Sequence, residues 1–169
     1  MLSRISQCPR FLVNFIVAAL LFIAAVAIAP TANAAPTDDA CSLLTAAQVS
    51  AAAGVSVGAG TYVAPTSKKT CVWTPSGDDT KGVASITLLL EAASMYDGGK
   101  RMGAAKSVVI TPVSGVGDDA YYQVIDTMAV MFVKKGGVSF KVSVYAHAMP
   151  ADKKETIEKA LALQVVSKL

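Results

Sequence analysis

Hydrophobic and polar positions divide the chain into a long apolar run, a middle with a period of two, and an end with a period near four. Residues 11–29 are apolar except for Asn14. After Pro30 the pattern turns polar, and residues 35–40 read as a short flexible leader. Thr45-Ala46-Ala47-Gln48 then has the spacing of a capping box, in which the threonine hydroxyl and glutamine side chain each satisfy an exposed amide. The alanine-rich helix it opens should stop at Gly54, which tolerates the left-handed conformation. Leu43 and Leu44 would pin this helix to the core.

From residue 55 the signals are those of strands. Residues 55–63 suit a weak or edge strand, interrupted by Gly58 and Gly60. Residues 70–74 form a short strand that ends in the turn cluster Pro75-Ser76-Gly77-Asp78-Asp79. Residues 83–91 predict a strong strand with Ile86, Leu88 and Leu90 on one face. Residues 92–102 suit a short helix, weakened by Gly98 and Gly99. Further strands are expected at 107–111, 120–125 and 127–133, the first two separated by a glycine- and aspartate-rich loop at 112–119.

Lys134-Lys135-Gly136-Gly137 reads as a hairpin turn, since paired glycines accept positive φ. On the returning strand Val138, Phe140, Val142 and Val144 should point inward. Ser139, Lys141, Ser143, Tyr145 and His147 should point outward. Pro150 opens a last helix whose apolar stripe is Ile157, Leu161 and Val165, with Asp152 and Lys168 placed to suit its dipole and Glu155 spaced to pair with Lys159.

This order is α+β: an antiparallel sheet of about five or six strands, with a short N-terminal helix and a C-terminal helix packed on it. Repeated strand–helix alternation is absent, which argues against a parallel sheet. Residues 41–169 are expected to form a single domain.

Composition changes the picture mainly at the start. Arg4 and Arg10 precede the apolar run, and Ala32 and Ala34 follow Pro30 with the small-x-small spacing of a signal-peptidase site. Residues 1–34 are therefore expected to be a cleavable export signal, cut between Ala34 and Ala35. A retained membrane anchor is the alternative, since the run is long enough to span a bilayer. No stop-transfer charges follow it, and no cysteine is placed for lipidation, so no stable anchor is expected after cleavage.

Without that segment the mean hydropathy of +0.51 no longer describes the domain. The basic residues fall from 15 to 13 against 12 acidic ones, a net charge of +1. That balance gives no electrostatic case for nucleic acid. Cys8 leaves with the signal, so Cys41 and Cys71 remain as an even number in an oxidising compartment, periplasmic or secreted. A structural disulfide follows, because neither a Cys-x-x-Cys pair nor a nearby histidine ligand supports redox or metal chemistry.

Asp39-Ala40-Cys41-Ser42-Leu43-Leu44-Thr45, then Cys71-Val72-Trp73, then the Val113–Tyr121 stretch with Gly115-Val116-Gly117-Asp118-Asp119, form a recurring pattern. Together with a glycine hairpin and a C-terminal helix, it resembles a family of small exported bacterial proteins, many of them lipoproteins, catalogued as a domain of unknown function. The resemblance spans nearly all of the chain after the signal. It implies a secreted α+β domain with a Cys41–Cys71 bridge, and it supplies no activity. The chain departs from the family in lacking the lipidation cysteine.

Candidate chemistry is sparse. Asp118 and Asp119 lie in the glycine-rich loop, which lacks the regular acidic spacing calcium needs; Asp118 is better suited to closing a turn onto the backbone. His147 is the only histidine and has no evident catalytic partner. Trp73 is placed to pack on the disulfide. Tyr121 and Tyr122 alternate across a strand, so one should be inside and one outside, where it would help line a ligand surface with Asp118, Asp119 and His147. Phosphate-loop, nucleophile-elbow, zincin and haem-attachment motifs are all missing, and no cofactor or metal is expected.

The expectation is an exported envelope protein acting as a non-enzymatic binding or interaction module. Its sheet face or loops would contact another envelope protein or a small ligand. The alternatives are a periplasmic hydrolase with a dispersed site built from Asp118, Asp119 and His147, and an inhibitor- or immunity-type protein.

Overall fold

The computed structural model describes residues 38–78, 80–106, 108–125 and 128–169. The expected signal, its cleavage point at Ala34 and Ala35, and leader residues 35–37 lie outside the described residues.

The chain begins its fold earlier than its polarity suggests. Asp39 caps α1 (Ala40–Leu43) by accepting from the Ser42 amide at 3.3 Å, and Ala40 is fully buried. Asp38 and Asp39 also lie 3.7 Å from Lys69 and Lys68, and the Tyr62 hydroxyl donates to Asp39 at 2.8 Å. Residues 38–40 thus belong to the domain and not to a leader. The capping box forms as expected at the start of α2 (Ala46–Ala53): Gln48 N–H donates to Thr45 Oγ1 at 3.2 Å, and Thr45 N–H to Gln48 Oε1 at 2.9 Å. Gly54 ends the helix at φ +67°.

Seven antiparallel strands follow: β1 (Thr61–Ala64), β2 (Ser67–Trp73), β3 (Val83–Ala92), β4 (Ile110–Val113), β5 (Asp119–Ile125), β6 (Met128–Lys135) and β7 (Val138–Ala146). Their spatial order is β1-β2-β3-β7-β6-β5-β4. The fold is α+β as the pattern predicts. The strand count is slightly higher than five or six, and the two edges are four-residue strands, β1 and β4, displaced from the expected 55–63 and 107–111. Pro112 in β4 and the register shift in β1 keep those edges short, which discourages pairing with other chains.

One sheet face carries the main core. Ile86, Leu88 and Leu90 of β3, Phe140, Val142 and Val144 of β7, and Met131 and Val133 of β6 pack there with α1, α2 and the last helix, α4 (Ala151–Val166). Ile157, Leu161 and Val165 supply the stripe expected of α4. The disulfide Cys41–Cys71 ties α1 to β2, and Trp73 lies fully buried two residues on. Gly60 seals that corner: a Cβ there would lie 2.6 Å from Cys71 Sγ and 2.8 Å from Trp73 Nε1.

The opposite face is covered over part of its width by α3 (Ala93–Ala105). The sheet is therefore sandwiched locally between helices. Three expectations change. Ser139, expected outward, is buried and donates to the Ala92 carbonyl at 2.9 Å where α3 begins. Glu155 and Lys159 make no ion pair among the described residues; instead the Glu155 carbonyl accepts the Tyr122 hydroxyl. Lys168 lies past the end of α4, and its ammonium donates to the Leu43 carbonyl at 2.6 Å.

Candidate ligand-binding groove

The helix α3 holds the sheet through glycines. A Cβ at Gly99 would stand 3.1 Å from the Tyr121 hydroxyl and 3.3 Å from the Phe132 ring, and one at Gly103 only 2.2 Å from Gln123 Nε2. Residues that look like helix breakers in sequence are what lets the helix backbone approach this closely. Beneath it, Tyr96, Tyr121 and Phe132 form a second, aromatic core, with Tyr121 stacked on Phe132 at 4.6 Å and edge-on to Tyr96 at 5.0 Å. Burial, then the nearby Glu91 carboxylate, pushes the Tyr121 hydroxyl up to about 12; burial raises that of Tyr96 as well.

The two flanks of α3 differ. On one, Asp97 lies 3.5 Å from Lys134 and Lys100 lies 3.4 Å from Asp119, so ion pairs close the helix onto the sheet. On the other, Met95 and Met102 stand one heptad apart, 52 % and 62 % exposed. They overhang a groove of about 300 Å³ with Gly98, Gly99 and Gly103 on the helix side and Gln123, Phe132 and Lys141 on the sheet side. Lys141 sits 5.0 Å over the Phe132 ring and pairs with Glu91 at 2.9 Å.

The groove continues onto open sheet. Strand register places Leu89 beside Lys141 and Phe132, then Val72, Thr87, Ser143 and Val130 in the next cross-strand row, then Tyr145 and Met128. Apart from Phe132, which is buried, these side chains are half-exposed or exposed, and none of those beyond Lys141 is charged. Methionine is unbranched and polarisable, so a methionine-lined rim adapts to differently shaped apolar ligands. A larger hollow of about 400 Å³ lies between α2 and α4, lined by four alanines together with Met149, Pro150, Ile157 and the polar Lys81, Lys153 and Thr156, and its Lys81 is held by the Gly54 carbonyl at 2.9 Å.

The structure does not gather the residues expected to form a site. Asp118 accepts from the Gly136 amide at 2.6 Å and pairs with Lys135, which ties the 114–118 loop to the β6–β7 hairpin and holds its carboxyl below the usual range. This is the turn-closing role its sequence context suggests. Asp119 pairs with Lys100. His147 is exposed beside Tyr145, with ring centroids 4.8 Å apart. Asp119 faces Lys134, which faces Ser139 at the start of β7. His147 lies beyond the far end of that strand, roughly 25 Å away at 3.3 Å per residue. Tyr121 and Tyr122 are both buried, so neither lines an outer surface.

Sequence reasoning missed the groove. Its one trace was the spacing of Met95 and Met102, which share a helical face. Glu158, fully buried on α4, was missed as well: its Oε1 accepts the Val144 amide at 2.9 Å while Oε2 has no hydrogen-bond partner among the described residues. Among the described residues no group of His, Cys, Asp or Glu side chains could hold a metal ion, and no helix is long and apolar enough to cross a membrane. Comparison with known proteins returns no matching family model, no similar curated protein and no similar solved structure.

Proposed function

We propose that this chain is an exported, non-enzymatic binding module of the bacterial envelope, periplasmic or secreted, whose working surface is the groove beside α3 and the open sheet next to it. The observation that carries the reading is the gathering of apolar side chains on that face. Among the described residues, four of the nine exposed large hydrophobic side chains lie on that face: Met95 and Met102 line the groove, and Met128 and Tyr145 lie two cross-strand rows further along the open sheet. The disulfide is consistent with an oxidising, exported location, and the export-signal pattern of residues 1–34 fits the same destination. The hydrolase alternative needs Asp118, Asp119 and His147 together, and the register holds Asp119 and His147 at opposite ends of the sheet.

Two charge insertions of equal size test the reading. Met102→Glu breaks the groove rim, whereas Leu163→Glu alters an exposed apolar residue on α4, over the other face. Immobilised mature protein should retain envelope material, the L163E variant should retain the same material, and M102E should lose it. Equal retention by both variants would overturn the assignment of the groove.

A further inference from the structure

We infer that the groove takes a single-chain anionic amphiphile, with its acyl chain along α3 and its head at Lys106. This rests on the groove being the working surface. At about 300 Å³ the groove is at the small end of ligand pockets, sized for one chain and too small for a folded partner. Met95 and Met102 line it from the helix and the Phe132 ring from the sheet. From Met95 to Lys106 the helix rises about 16 Å at 1.5 Å per residue, comparable to an extended dodecanoyl chain.

The charges give the chain a direction. Among the described residues, the two ionisable side chains lining the groove are Lys106 and Lys141, and no carboxylate lines it. Lys141 is already answered by Glu91, whereas Lys106 makes no ion pair among the described residues. The C-terminal carbonyls of α3 carry partial negative charge that opposes an anion, but two of them are already answered. Those of Met102 and Gly103 accept from the Lys106 and Val108 amides at 3.1 and 3.0 Å. An anionic head at Lys106 would therefore meet an unanswered ammonium, while its tail replaces water against Met102, Met95 and Phe132. A cationic head there would meet the like charge of the Lys106 ammonium.

Displacement of dansyl-undecanoate from the full exported chain tests this, using dodecanoate, dodecyl maltoside and dodecylamine as monomers below their micelle concentrations. Dodecanoate should displace the probe several-fold more readily than dodecylamine, as replacing a repulsive by an attractive contact with one exposed ammonium implies. Lys106→Glu should erase that preference, and Met102→Glu should weaken every ligand. Both side chains are exposed, and circular dichroism with the thermal midpoint verifies that each variant is folded. Equal displacement by all three heads would overturn the anionic assignment. If dodecanoate does not bind while M102E still abolishes retention of envelope material, the ligand class is wrong and the groove stands. If M102E retains that material as well, the groove itself is wrong.

Discussion

Tyr121 and Tyr122 are neighbours in β5 and are both buried, at 0 % and 5 % exposure, because they face opposite sides of a sheet covered on each side by a helix. Tyr121 stacks under α3, and Tyr122 reaches the Glu155 carbonyl of α4. Period-two alternation predicts their opposite directions correctly, but it cannot say that the outer face has a cover. Tyr122→Phe should cost about 1 kcal/mol, the usual net value of one hydrogen bond, more if the carbonyl is left dry. Urea unfolding of the variant measures this, and no loss would mean the hydroxyl is not holding α4.

The glycines of α3 should respond oppositely to the same substitution. A methyl group added at Gly98 would meet no atom within 4 Å, so Gly98→Ala should stabilise the helix by about 1 kcal/mol. Gly99 has the Tyr121 hydroxyl and Phe132 ring in the way, and rings of a stacked pair yield little. Gly99→Ala should therefore be less stable than Gly98→Ala by more than that gain. Thermal midpoints of the two variants decide it, and equal midpoints would contradict the close approach.

Breaking the Cys41–Cys71 bridge opens a link across a sequence separation of 30. Closing a loop of that size stabilises the folded state by about 3–4 kcal/mol through the entropy it removes from the unfolded chain. Paired Cys41→Ala and Cys71→Ala substitutions should lower unfolding stability by this order. In the native protein both thiols should resist alkylation until a reductant is added.

Burial pushes the Glu158 carboxyl up to about 8, against smaller lowering effects from the Val144 amide and the Lys154 charge, while Glu155 adds to the rise. Its folded pKa exceeds its unfolded one, so its stabilising contribution is complete below about pH 4.5 and is lost as pH rises to about 8. The loss is on the order of 5 kcal/mol for this fully buried group. Glu158→Gln should flatten the slope of stability between those values, as unfolding measured across pH would show. A wild-type slope unchanged in the variant would place the titration elsewhere.

What could be read from the chain follows from which forces are local. The Thr45–Gln48 capping box, the Gly54 stop and the inward faces of β3 and β7 depend on residues close in sequence, and they appear where the pattern puts them. The cover over Ser139 and Tyr121 depends on where α3 lands, which no local period encodes. Glu158 follows Lys154 by four residues, a spacing that reads as a solvated ion pair, yet both residues are buried and Glu158 accepts the Val144 amide of the sheet. The groove was hidden for a related reason. Its floor comes from β5, β6 and β7 and its wall from α3, so only the tertiary fold brings them together.

The most direct measurement follows the methionine methyl resonances while envelope extract is added to the mature protein. Met95, Met102 and Met128 border the groove and open sheet, whereas Met131 is buried in the main core and serves as an internal reference. Shifts at Met95 and Met102, weaker ones at Met128 and none at Met131 are the predicted result. A ligand that binds while leaving Met95 and Met102 unmoved would contradict the account.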